Sequence, residues 1–85
     1  MNGNFSATDA VSTIVEASGN RGSVTIQHYS GGNLWLGFGE LPAAGKGVRL
    51  SSSLPIISIN DHRAGLAVLA VCDAGQTATG GFVTA

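Results

Sequence analysis

A single cysteine, Cys72, stands among the 85 residues, so the chain forms no internal disulfide. His28 and His62 join that cysteine at no recognised zinc spacing, and no metal or other cofactor is expected. Charge is scarce too. Charged residues make up 11% of the chain, against about 25% in ordinary soluble domains. The basic residues are Arg21, Lys46, Arg49 and Arg63, scattered along the chain, which argues against a nucleic-acid partner. The longest apolar run, Leu66–Cys72, is too short for a bilayer, so no membrane span is expected. The opening MNGNFSATDA has neither the basic nor the apolar stretch of a secretory signal.

What remains is 44% hydrophobic and rich in turns, with 13 glycines. A domain this small buries only about 60% of its unfolded surface and is marginal alone. With disulfide and metal removed from the usual supports, oligomerisation is left. A small, weakly charged chain is therefore expected to cover part of its surface with copies of itself.

Along the chain, residues 1–9 are small and polar and are expected to form a flexible or partner-bound arm. Residues 10–85 form one domain. The β-branched cluster Val11, Thr13, Ile14 and Val15 favours a strand, and SGNRG (18–22) a turn. Two alternating runs follow, then the loop ELPAAGKG (40–47), the short strand VRL (48–50) and another strand within SSSLPIISIN (51–60). Pro55 stands near the start of that strand, where a missing donor is tolerated. Asn60–Gly65 reads as a polar turn. GLAVLAVC (65–72) is apolar on both faces, as in a central strand or one whose second face meets a partner. TATGGFVT (77–84) is the last strand. About seven short strands with glycine-rich turns and no helix predict an all-β fold, a small antiparallel β-sandwich or jelly-roll-like barrel.

The run RGSVTIQHYSGGNLWLGFGE (21–40) holds the only Trp and the only Tyr. Val24, Ile26 and His28 alternate with Thr25, Gln27 and Tyr29, and Leu34, Leu36 and Phe38 alternate with Trp35, Gly37 and Gly39. Read as a hairpin closed by Gly31-Gly32-Asn33, the run sets His28 opposite Leu36 and Ile26 opposite Phe38. Tyr29 then faces Trp35 on the reverse side. Either another chain or a second sheet of the same domain covers that pair. An outward aromatic pair suits a protein contact, because Tyr and Trp are enriched at interface centres.

No segment carries a catalytic motif. GELPAAGKG (39–47) misses the phosphate loop, with five residues between its glycines and Gly47 where magnesium needs Ser or Thr. Asp61, His62 and Arg63 are neighbours in sequence and do not converge as a triad would. A solvated turn is the plainer expectation there, with an interface ion pair through Arg63 next. His28 is expected to be a hydrogen-bonded, semi-buried side chain. Cys72 is expected to be a small buried hydrophobe whose thiol Asp73 makes less acidic.

The order RGSVTIQ, LWLGFGE, GKGVRL, LPIISI and LAVLAVCDAGQTATGGFV resembles small virion proteins of tailed bacteriophages. The resemblance implies a small β-sandwich or jelly roll, often trimeric, that binds the outer capsid surface or serves as a head or tail accessory. It brings no catalytic residues. The expected function is thus a non-enzymatic virion structural protein that cements or decorates capsid subunits as a homo-oligomer, with the major capsid protein as partner. It would sit on the virion and pass through host cytoplasm during assembly. Candidate interface residues are Phe5, Tyr29, Trp35, Arg63, Leu66 and Val68. On this reading, deleting residues 2–9 leaves the oligomer intact and weakens capsid attachment. The alternative is a carbohydrate-binding or tail-fibre adhesion module stacking sugars on Trp35 and Tyr29.

Overall fold

The computed structural model describes residues 2–19, 21–43 and 45–85. Met1, Asn20 and Ala44, from the expected arm, turn and loop, lie outside the described residues, as does the His62 side chain. Eight strands follow in order: β1 (Asn2–Ala7), β2 (Ser12–Val15), β3 (Val24–Gly31), β4 (Leu34–Phe38), β5 (Val48–Leu50), β6 (Ile56–Ile59), β7 (Val68–Cys72) and β8 (Ala78–Thr84). A 3₁₀ turn, His62–Gly65, precedes β7, and Asp61 caps it by accepting the Arg63 amide. All strand pairs are antiparallel. They build sheet A in the order β1-β8-β3-β6 and sheet B in the order β2-β7-β4-β5. Of consecutive strands, only β4 and β5 share a sheet. Every other connection crosses the sandwich, which makes the all-β fold an eight-stranded jelly roll.

The core forms between the sheets from the residues whose period-2 alternation marks one face. Val24 and Ile26 of β3 and Leu34 and Leu36 of β4 are fully or almost fully buried, with Leu50, Val68 and Ala70 beside them. Burying each such Val, Leu or Ile stabilises the fold by about 1.5–3 kcal/mol. His28 is the one buried polar side chain among the described residues, and its Nε2 bonds the Gly32 carbonyl oxygen at 2.8 Å. That bond makes burial of an imidazole tolerable.

Three expectations are corrected. First, β3 and β4 are not a hairpin. β3 lies between β8 and β6, and β4 lies between β7 and β5. The two apolar faces do meet, but across the sandwich rather than side by side. Alternation tells which side chains share a face; it is the same for either pairing, so it does not choose the partner strand. Gly31, at φ 103°, turns the chain out of sheet A where a side chain's Cβ would collide with the Thr77 carbonyl. Each strand thereby gains two hydrogen-bonded neighbours where the hairpin supplied one.

Second, the N-terminal arm is a strand. Asn2–Ala7 pair with β8 along their whole length, and Ala7 is buried. Small polar residues suggested mobility, yet they occupy an edge strand whose alternate members Gly3, Phe5 and Ala7 face inward. Third, the strand expected over 65–72 begins only at Val68. It is a central strand, as its two apolar faces allowed, lying between β2 and β4, and Val71 on its outer face is 5% exposed within the chain itself.

Candidate functional site

Inward burial of Leu34, Leu36, Val68, Ala70 and Leu50 forces their sequence neighbours outward, and this defines the outer face of sheet B. Trp35 stands there in register with Val71 on one side and Arg49 on the other. The indole is held in place: Nε1 donates to Asp73 Oδ1 at 2.8 Å, while Asn33 Nδ2 donates to Asp73 Oδ2 at 3.1 Å. Farther along β4, Gly37 leaves room for the Glu40 carbonyl and Pro42, so residues 40–42 of the loop fold back over the sheet. Leu41 projects from that loop, 77% exposed.

Sheet A presents a different outer face. No Asp, Glu, Lys or Arg occurs in β1, β3, β6 or β8. Asn2, Asn4, Ser6, Thr25, Gln27 and Thr79 alternate with the inward residues and so point out. Tyr29 lies next to a register irregularity in the β3–β8 pairing between His28 and Ser30, and it is 56% exposed. Its phenol crosses to β8 and rests where a Cβ on Gly81 would stand. On the inner side, the Phe5 ring does the same over Gly80, 2.5 Å from that glycine's would-be Cβ. Phe82 covers Gly3 in the same manner, also at 2.5 Å. Adjacent glycines in a strand mark such close approaches. The Gly80-Gly81 pair in TATGGFVT was the available sequence signal for them.

The six candidate residues therefore do not form one site. Tyr29 and Trp35 stand on opposite outer faces, so the expected aromatic pair does not exist. Phe5 is half-buried and packs inward against the core. Val68 is fully buried in the core and reaches no surface. Leu66, 38% exposed, lies over Gly39 at one end of the sandwich. Arg63 is near that end, bridging Asp61 at 3.1 Å and set 5.9 Å from the centre of the Phe38 ring. The Asp61 partner raises the Arg63 pKa, which keeps an already cationic group cationic.

No family model, curated protein or solved structure matches this chain.

Two residues play larger parts than their sequence context suggested. Arg21 gathers three backbone carbonyls with its guanidinium, those of Glu16 at 2.9 Å, Ala64 at 2.5 Å and Leu66 at 2.8 Å. It ties the segment after β2 to the segment around the 3₁₀ turn. Asp73 serves both Asn33 and Trp35, and no local motif advertises a contact across so many residues. Cys72 is buried beside it, and burial first, then the Asp73 and Asp9 charges, push the thiol pKa up. Such a thiol is a poor nucleophile. Among the described residues no three His, Cys, Asp or Glu side chains converge as metal ligands.

Proposed function

We propose that this chain is a non-enzymatic structural protein of a tailed-phage virion. It docks as a homo-oligomer, a trimer, on the outer capsid surface and cements neighbouring copies of the major capsid protein. The outer face of sheet B carries this reading: a Trp35 indole locked by Asp73, with Arg49 in register beside it and Leu41 exposed on the loop folded over the sheet. Trp and Arg beside aliphatic side chains make the composition of an interface centre. An indole already fixed in place loses little rotamer freedom when a partner covers it.

The charge distribution supports the same reading. Edge strands are commonly guarded by charged side chains such as Lys, and neither β1 nor β6 carries a charged residue. Three copies joined to one shell combine weak contacts into firm attachment. Jelly rolls occur in both viral shell components and lectins, so the fold itself does not select between them.

The test is the composition of purified virions. The protein is expected in stoichiometric copy number on heads, and its absence from purified particles overturns the reading. Recovery with tails alone moves it to the tail or fibre. Sedimentation of the isolated chain as a monomer refutes the cementing oligomer. Trp35→Ala is expected to keep the fold and lower shell occupancy.

A further inference from the structure

The outer face of sheet A holds two shallow grooves that meet at Tyr29. One, about 330 Å³, is bordered by Asn2, Asn4, Gln27 and Tyr29. The other, also about 330 Å³, continues past Asn4, Ser6 and Thr79 on the far side of the ring. Each lies at the lower end of the size range of small-molecule sites. Together they make a trough running along β1 and β8.

Its polar groups are all uncharged, with Phe82 and the exposed Val83 as apolar neighbours. The register places Asn4 on one side of Gly81 and Gln27 on the other, two strand spacings apart, or about 9.5 Å. The missing side chain at Gly81 lets the Tyr29 ring lie down between them. The carboxamides of Asn2, Asn4 and Gln27 and the Tyr29 hydroxyl have no hydrogen-bond partner among the described residues, whereas the Thr25 and Thr79 hydroxyls are engaged by Ser58 and Ser30. Each free carboxamide both donates and accepts, as a sugar hydroxyl does. The exposed ring offers a flat apolar surface for the C–H face of a pyranose. None of the four strands of the sheet bears a charged side chain, so nothing there favours a phosphate, a carboxylate or a nucleic-acid backbone.

We propose that the outer face of sheet A binds a linear, neutral oligosaccharide. Its sugar rings occupy the two grooves on either side of Tyr29, and Asn2, Asn4 and Gln27 bond its hydroxyls. Trp35, on the opposite face, takes no part. The site is independent of capsid docking, and it leaves the sheet B face free for the shell.

The experiment is a titration of the ¹⁵N-labelled full chain with maltotetraose, cellotetraose and chitotetraose, and with tetragalacturonic acid as the charged comparison. At least one neutral probe is expected to shift amides within residues 2–6, 25–30 and 78–83, with a dissociation constant of about 1 mM. Tyr29→Ala is expected to weaken binding roughly three- to tenfold. Gln27→Ala and Asn4→Ala remove exposed side chains that the fold does not use, and each is expected to weaken binding about two- to fivefold. Absence of shifts at about 20 mM of every neutral probe, twenty times the expected constant, overturns the proposal. So do shifts centred on Trp35, equal binding of the acidic tetramer, or unchanged affinity in both carboxamide variants. None of these results bears on virion copy number, so the two readings fail separately.

Discussion

The two outer faces of this jelly roll are built from one alternating pattern and end up chemically unlike. On sheet B, an aromatic ring is tethered through a hydrogen bond to a charged group, Asp73, and flanked by Arg49 and Val71. On sheet A, an aromatic ring is laid over a glycine and flanked by uncharged carboxamides. Fixing a ring through its polar atom leaves its flat surface to apolar contact, as suits a protein partner. Fixing it through the space under a missing side chain leaves its hydroxyl free, as suits a polar ligand.

The largest test of this contrast is removal of residues 2–7. Sheet A then loses its edge strand, the inward Phe5 and the buried Ala7, while sheet B keeps all its strands. Loss of a cooperative thermal transition is expected; a melt like that of the intact chain returns these residues to the status of a dispensable arm.

Next come the paired glycines. A Cβ at Gly80 meets the Gln27 carbonyl, which is backbone, and the Phe5 ring. A Cβ at Gly81 meets first the far end of the Tyr29 side chain, which can swing away. Gly80→Ala is thus expected to cost about 1–3 kcal/mol in chemical denaturation. Gly81→Ala is expected to cost less and to change Tyr29 fluorescence. Equal costs would mean that Tyr29 is no freer than the backbone.

On sheet B, Asp73→Ala removes the acceptor of both the Trp35 and the Asn33 bonds. A loss of about 1–3 kcal/mol is expected, with red-shifted Trp35 emission as the indole is released. Tyr29 should not respond.

A smaller effect is pH-dependent. The raised pKa of Cys72 means that its thiol ionises more readily in the unfolded chain than in the fold. Its contribution to stability is therefore complete below about pH 8.5, the ordinary thiol value, and is lost as pH rises past it. Cys72→Ala should flatten the alkaline decline in melting temperature, and Asp73→Asn should lower the thiol pKa while burial keeps it above the ordinary value. Least of all, Arg63→Ala is expected to leave the melting temperature unchanged, because its bridge to Asp61 is solvated on both sides.

Strand positions were largely legible, because alternation and turn residues are local signals. β3, β4, β5 and β8 fall where those signals put them, within a residue or two. The polar turn before β7 and the hydrogen bond of His28 are also as expected, although His28 is buried rather than semi-buried. The hairpin was not legible as a crossing. Gly31-Gly32-Asn33 can close a two-stranded ribbon or carry the chain between sheets, and only the claims of β8, β6, β7 and β5 on the flanking positions decide. β1 was missed because its stability comes from pairing with the far end of the chain. The division of Tyr29 from Trp35 follows from the same crossing, since residues six apart in sequence were sent to different sheets.

By itself, then, the sequence determined the periodicity, and with it the split of Val24, Ile26, Leu34 and Leu36 from Thr25, Gln27 and Trp35. It also determined the low charge and the exclusion of disulfide support. Tertiary structure alone decided which strands became neighbours, and hence which outward residues share a face. Side-chain direction is a property of one strand, whereas a surface belongs to several strands brought together by long-range pairing.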